Sequence, residues 1–285
     1  MRGWFVCCIL AALLLFGCKK VIRNVQNLSG GRIYIVGHEG SGEINSVYPP
    51  DSWEGMTKAV ENYSADGVEV DLQLSHDSVL FMFEGNSLDA TTSCLGCVLS
   101  TDSQSLTQCI YKNSQASGTL SAEYVASFER LVQRFSQRSI KPLIFIDLHT
   151  YTGCVDETKE HEYYSSLVNE AEKIIQKYNA YDWIYVQSYV PAWLAETVKQ
   201  YPGTRVVYDG TLADGDIEYA KDNGFYGIAS KNDNISAEQV SAAHAAGLRV
   251  QLYGADGQSD MVNAMNKSPD YFLTDNIPLS ESILE

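Results

Sequence analysis

Residues 67–85 read GVEVDLQLSHDSVLFMFEG, and they hold two acids where a buried strand should hold none. The first eight residues carry the apolar, β-branched pattern of a strand. Glu69 and Asp71 interrupt it two residues apart, so both carboxylates project from one side of the chain. After Ser-His-Asp-Ser, VLFMF at 79–83 reads as the arm of an extra hairpin, and it ends in Phe83-Glu84-Gly85, which adds a third acid.

From residue 31 on, the chain alternates such runs with amphipathic segments. The strands are expected at 32–38, 67–74, 142–148, 182–188, 204–210, 225–230, 249–255 and 270–275. SAEYVASFERLVQRF (121–135), YYSSLVNEAEKIIQKY (163–178), PAWLAETVKQY (191–201) and SAEQVSAAHAAG (236–247) read as helices between them. Eight strands alternating with helices mean parallel strands and crossovers. The expected fold is α/β: a (β/α)8 TIM barrel in one domain (31–285), with an extra hairpin and a Cys-containing insertion after strand 2 that runs to about residue 118.

The chain of 285 residues is 45% hydrophobic, enough for a large core, and its net charge of −16 argues against nucleic acid as a partner. MRGWFVCCILAALLLFGC at 1–18 has a basic start and an apolar run too short to span a membrane, and it ends in Leu15-Phe16-Gly17-Cys18. It resembles a bacterial lipoprotein signal, which implies lipidation at Cys18, an exported protein anchored to a bacterial membrane, and a tether over 19–30. Four cysteines remain, Cys94, Cys97, Cys109 and Cys154. Their even number in an exported chain suggests two disulfides in any of three pairings. A zinc site on Cys94 and Cys97 is the alternative, although no second close pair completes it.

In such a barrel the working residues sit at the C-terminal ends of the strands. The first strands end in His38 and Glu39, in Glu69 and Asp71, and in Asp147 and His149; later ends offer Gln187, Tyr208, Asp209, Lys231, Tyr253 and Asp275. Glu69, Asp71 and Asp147 would repel one another if left unneutralised. A hard divalent cation, Mg2+ or Ca2+, removes that cost, and His38 beside it becomes a candidate for proton transfer.

Five segments then resemble the glycerophosphodiester phosphodiesterase family, within the phosphatidylinositol phospholipase C-like superfamily. They are VGHEG, SADGVEVDLQLSHDSVLFMF, SLDATT, AAHAAGLRVQLYGADG and DYFLTDNIP, in the family's order from residue 32 to about 280. The resemblance implies hydrolysis of glycerophosphodiesters or related phospholipid head-group esters, a metal held by Glu69, Asp71 and Asp147, and His38 as one of two catalytic histidines. The family's second histidine falls on Glu84-Gly85, its phosphate-facing Arg on Glu39, its Lys on His149 and its Trp on Tyr253. The expected acid-base pair is therefore His38 with His149 or Glu84, with Glu39 and Tyr253 on the substrate side. The alternative reading is a weak or inactive barrel that survives as a binding module.

Overall fold

The computed structural model describes residues 22, 24–42, 47–112, 122–149 and 153–285. The signal segment and Cys18 lie outside the described residues. Strands β1 (Tyr34–Gly37), β2 (Gly67–Leu74), β5 (Leu143–Asp147), β6 (Ile184–Ser188), β7 (Arg205–Asp209), β8 (Gly227–Lys231), β9 (Arg249–Tyr253) and β10 (Tyr271–Thr274) pair in parallel, and β1 pairs with both β10 and β2. That double pairing closes the barrel. Among the described residues, eight helices return the chain: α1 (Trp53–Glu61), α2 (Phe128–Ser136), α3 (Glu160–Tyr178), α4 (Pro191–Gln200), α5 (Asp214–Asp222), α6 (Ala237–Ala245), α7 (Gln258–Asn266) and α8 (Ile277–Leu284). The TIM barrel expected from the alternation is the observed fold.

Local chemistry starts these helices where the strands end. Ser52 accepts from Gly55 N ahead of α1, Ser236 and Gln239 form a reciprocal capping box on α6, and Asn276 accepts from Leu279 N at α8. The strands bury both faces. Val68, Val70, Ile144, Ile146, Val186 and Val250 pack outward under the helices with no exposed surface, each burial contributing roughly 1.5–3 kcal/mol. Inside, Phe145 stacks on Tyr185 at 4.6 Å and meets Tyr271 edge-on at 5.1 Å. This aromatic plug fills the barrel below its C-terminal mouth.

Strand β2 has two lives. Gly67 to Asp71 pair with β5 inside the barrel, whereas Leu72 to Leu74 pair antiparallel with β3 (Leu80–Met82) outside it. A short β4 (Ala126–Ser127) then pairs with β3. The reading of 121–135 as one helix is corrected here: Tyr124 bridges to Ile110, and the helix starts only at Phe128. Val125 and Ala126 are buried as sheet residues instead.

The insertion packs around Phe81, Phe83, Leu88 and Leu106 as a small second core. Disulfides join Cys94 to Cys109 and Cys97 to Cys154. Both sulfurs of the Cys94-Cys97 pair are thus consumed, which rules out the zinc alternative. The second bridge ties the insertion to the loop that follows β5.

At the opposite, N-terminal face, Gln26 N donates to Ser268 Oγ, Asn27 Nδ2 to the Pro269 carbonyl, and Ser29 Oγ to Asp270. Ile22 and Val25 line a cavity there with Arg32, Ile33 and Leu284. Among the described residues, no helix is long and apolar enough to cross a membrane.

Candidate active site

The split in β2 explains where its acids go. Glu69 and Asp71 are the last inward-facing residues before the strand leaves the barrel, and Asp71 sits in register with Asp147 on β5. They face a cavity of about 400 Å³ at the mouth. Of the residues singled out from sequence, His38, Glu39, Glu69, Asp71, Glu84, Asp147 and His149 all line it, joined by Gly85 and Asn86. Tyr253 is not among them: its hydroxyl donates to Asp209 Oδ1 at 2.9 Å on the far side of the mouth. His76 and His161 are exposed and pair with Asp102 and Glu196, and His244 packs against Asp270.

Two carboxylates that sequence reading left unassigned complete the site. Asp275, just after β10, lies 2.9 Å from His38 Nδ1 and so directs Nε2 toward the cavity. Closure of β1 onto β10 makes that contact, and Gly42 permits it: with φ at +74°, a Cβ there would come within 2.5 Å of the Asp275 carbonyl oxygen. Asp51, fully buried, accepts from Asp71 N at 3.2 Å. Glu39 and Asp51 both adopt left-handed backbone, with φ of +46° and +53°, and Asp51 N donates to the Glu39 carbonyl. Glu39 N in turn donates to Glu69 Oε2 at 3.0 Å. Two uncommon conformations meeting at one buried cluster are the mark of a site held in shape by its surroundings.

The electrostatics follow from burying acids together. Burial pushes Glu69 up to about 8, with His38 opposing and Asp147 adding to the shift. Burial and then the neighbouring carboxylates, Glu69 for Asp71 and Asp71 for Asp51, hold both aspartates well above the usual carboxylate range. The histidines move the other way in charge. Burial disfavours the His38 imidazolium, but the hydrogen bond to Asp275 and the fields of Glu69 and Glu39 outweigh it and push the group up to about 10. Burial likewise disfavours protonated His149, and its contact with Asp147 at 2.9 Å, with Asp71 at 3.7 Å, pushes it up to about 10.

Among the described residues, no lysine or arginine lines this cavity, so the acids are balanced by two imidazoles alone. The donor set suits a hard divalent cation in kind. Glu69, Asp71 and Asp147 are oxygen donors on adjacent strands, and Asp147 Oδ1 is buried with no hydrogen-bond partner among the described residues. As the side chains stand, no group of three or more His, Cys, Asp or Glu among the described residues is arranged to hold a metal ion. The His149 imidazole takes up Asp147 Oδ2 instead.

Comparison with known proteins agrees with this fold. The model of the glycerophosphoryl diester phosphodiesterase family matches residues 45–279. No match was found among curated protein sequences. Among solved structures, an Oleispira antarctica phosphodiesterase in complex with the product sn-glycerol-3-phosphate superposes with a TM-score of 0.72 at 18% identity, covering 88% of this chain and 96% of that one. A glycerophosphodiester phosphodiesterase from Agrobacterium tumefaciens gives 0.71 at 17% identity, with 87% and 99% covered. A glycerophosphoryl diester phosphodiesterase from Parabacteroides distasonis gives 0.69 at 17%, with 93% of each chain covered. At such identities the superpositions establish the shared fold.

Proposed function

The chain belongs to the glycerophosphoryl diester phosphodiesterase family, and from that premise we propose that it hydrolyses glycerophosphodiesters, or related phospholipid head-group esters, with an altered acid-base pair. One observation carries the reading. Two imidazoles, each braced by its own carboxylate, face the same cavity from the strands that flank β2, His38 on Asp275 and His149 on Asp147.

Glu69, Asp71 and Asp147 would hold a divalent cation, Ca2+ or Mg2+. Such an ion supplies positive charge against the phosphate oxygens in a cavity that otherwise repels them. The chain's own residues do the rest. His38 keeps its proton through the neutral range and presents Nε2 to the leaving oxygen, with Asp275 fixing the ring. On the other side of β2, the exposed carboxylate of Glu84 stands where a proton from the attacking hydroxyl can be taken up, and His149, held protonated by Asp147 and Asp71, faces the phosphate as a positive group. Glu39 replaces a positive residue with a negative one, so substrate affinity depends more heavily on the cation.

Export and lipidation at Cys18 belong to the same proposal, supported by the Leu15-to-Cys18 motif after a short apolar run. The test is phosphorus-31 NMR of residues 19–285 with a panel of glycerophosphodiesters, with and without Mg2+ or Ca2+. Turnover that needs the cation and is lost in His38→Ala is expected. Silence under every cation would favour the binding-module alternative.

A further inference from the structure

The two disulfides differ in access. Cys109 has no exposed surface and belongs to the second core with Phe81 and Leu106, which seals its bridge to Cys94 on that side. Cys97 and Cys154 are both partly exposed. Cys154 also lines a separate cavity of about 370 Å³ between the insertion and the start of α3, and Cys97 does not. Leu99, Val155 and Tyr163 give this cavity apolar walls. Lys159 is the only cation lining it among the described residues, and of its two acids, Asp156 is occupied in accepting from Thr158 N and Oγ1, which leaves Glu162.

The same bridge touches the wall of the acidic cavity. The sulfurs of Cys154 and Cys97 lie 2.6 and 3.9 Å from the Asn86 carbonyl oxygen, and Asn86 lines the acidic cavity beside Glu84. Cys154 follows His149, on the facing wall, by five residues. The bond that can be reached from one cavity is therefore the bond that ties two walls of the other. A thiol can reach such a bridge in the folded protein, whereas a bridge sealed in a core must wait for local opening.

We propose that Cys154 is a thiol-exchange site, at which a low-molecular-weight thiol opens the Cys97–Cys154 bridge and lowers the activity of the folded protein. The effect on activity rests on the phosphodiesterase reading; the exchange itself does not. The incoming thiolate attacks Cys154 Sγ, the S–S bond breaks, and Cys97 leaves as a thiolate that takes a proton from water. A second thiol attacks the mixed disulfide, so two thiols are oxidised to one disulfide while the bridge is reduced to two cysteine thiols. Lys159 favours the thiolate form of the attacking group. The volume admits a thiol of amino-acid size and excludes a folded protein.

The experiment exposes the whole mature protein, both bridges formed, to millimolar free cysteine under native conditions, quenches with N-ethylmaleimide and maps the peptides by mass spectrometry. Turnover of glycerophosphodiesters with Mg2+ or Ca2+ and circular dichroism are followed in parallel. A cysteine adduct on Cys154, an alkylated Cys97 and an intact Cys94–Cys109 bridge are expected, with the accessible bridge opening roughly 100-fold faster than the sealed one. Turnover should fall ~10²-fold with circular dichroism unchanged, and return on reoxidation. Ser166→Trp, which fills the cavity from α3, should slow the opening about tenfold or more and leave the starting turnover unchanged. An adduct mainly on Cys97, both bridges opening together, or an unchanged opening rate in folded Ser166→Trp would overturn the exchange site. Selective opening that leaves turnover unchanged, or a loss of turnover that tracks a loss of circular dichroism, would overturn its effect on activity. Selective opening in a parent that hydrolyses no diester would sustain the exchange site and sink the hydrolase reading.

Discussion

Removing the Cys97–Cys154 bridge should cost stability and catalysis by separate and separable routes. The bridge spans 57 residues of sequence, and the Cys94–Cys109 bridge shortens the effective loop only slightly. Loop-closure entropy then gives about 4 kcal/mol of stabilisation through the unfolded chain, an upper value for real proteins. For a chain of this size that is a fall in Tm of about 7 °C. The catalytic effect has a different origin. Cys154 Sγ lies against the carbonyl of Asn86, which lines the cavity beside Glu84, while Cys154 follows His149 by five residues. The bridge therefore fixes the Glu84 wall against the His149 wall. A shift of about 1 Å between them could lower turnover ~10²-fold. The variant is Cys97→Ser with Cys154→Ser, so that no lone thiol remains. Its melting is followed by circular dichroism, and its turnover is measured well below the new Tm. A fall in Tm with unchanged kcat would refute the claim that the bridge sets the geometry of the site.

Other outcomes follow from the same groups. In chelator, the folded protein binds more protons than the unfolded chain, because Glu69, Asp71, Asp51, His38 and His149 all sit above their ordinary values. Their contribution is full below the unfolded carboxylate range of about 4 and is lost as pH rises through about 8 for Glu69 and about 10 for the histidines. Tm should therefore drop between pH 5 and 9, and Ca2+ or Mg2+ should flatten that slope; a flat metal-free profile would contradict the buried cluster. Asp275→Asn removes the charge that holds the His38 proton, so the alkaline limb of the rate profile should move to lower pH while KM changes little. Glu84→His places an imidazole where the family resemblance puts one and should raise turnover, by up to the ~10²–10⁴ a positioned base contributes; no gain with the fold intact would mean that Glu84 already fills the role.

Much of this was legible in the chain because strand ends in a barrel are positional. Glu69 and Asp71 stand two apart in β2, which spans the eight residues read from its pattern, and Asp147 ends an apolar run on the neighbouring strand. His38, Glu84 and His149 follow strands in the same way and reach the same cavity. Asp275 was visible as a strand end, but its role was not, because its partner His38 is 237 residues away and meets it only when the barrel closes. Asp51 hides for another reason. After two prolines it reads as a turn residue, and only the left-handed backbone beneath β2 turns it inward. Tyr253 shows the converse limit, since its position at a strand end fixed its height in the barrel and not its partner. The cysteines gave a count, and the fold chose between three pairings by bringing the loop after β5 to the insertion.

The direction of the barrel also bears on which diesters reach the site. Three residues separate Cys18 from Ile22, a reach of four Cα steps or at most about 14 Å. Ile22 and Val25 line the cavity at the N-terminal face, where β1 begins, and residues 26–29 are hydrogen-bonded to the loop before β10. The acids stand at the other end, beyond the five residues over which β2 runs inside the barrel, a further ~16 Å. A lipid on Cys18 would thus hold the N-terminal face near the bilayer and turn the mouth away from it. The expected substrate is then a water-soluble, deacylated diester rather than a phospholipid still in the membrane. Lipidated full-length protein in vesicles should hydrolyse soluble glycerophosphodiesters as fast as residues 19–285 do in solution, and should leave a lysophospholipid in the same bilayer untouched. Faster hydrolysis of the embedded lipid would mean that the mouth faces the membrane, against the placement of Ile22 and Val25.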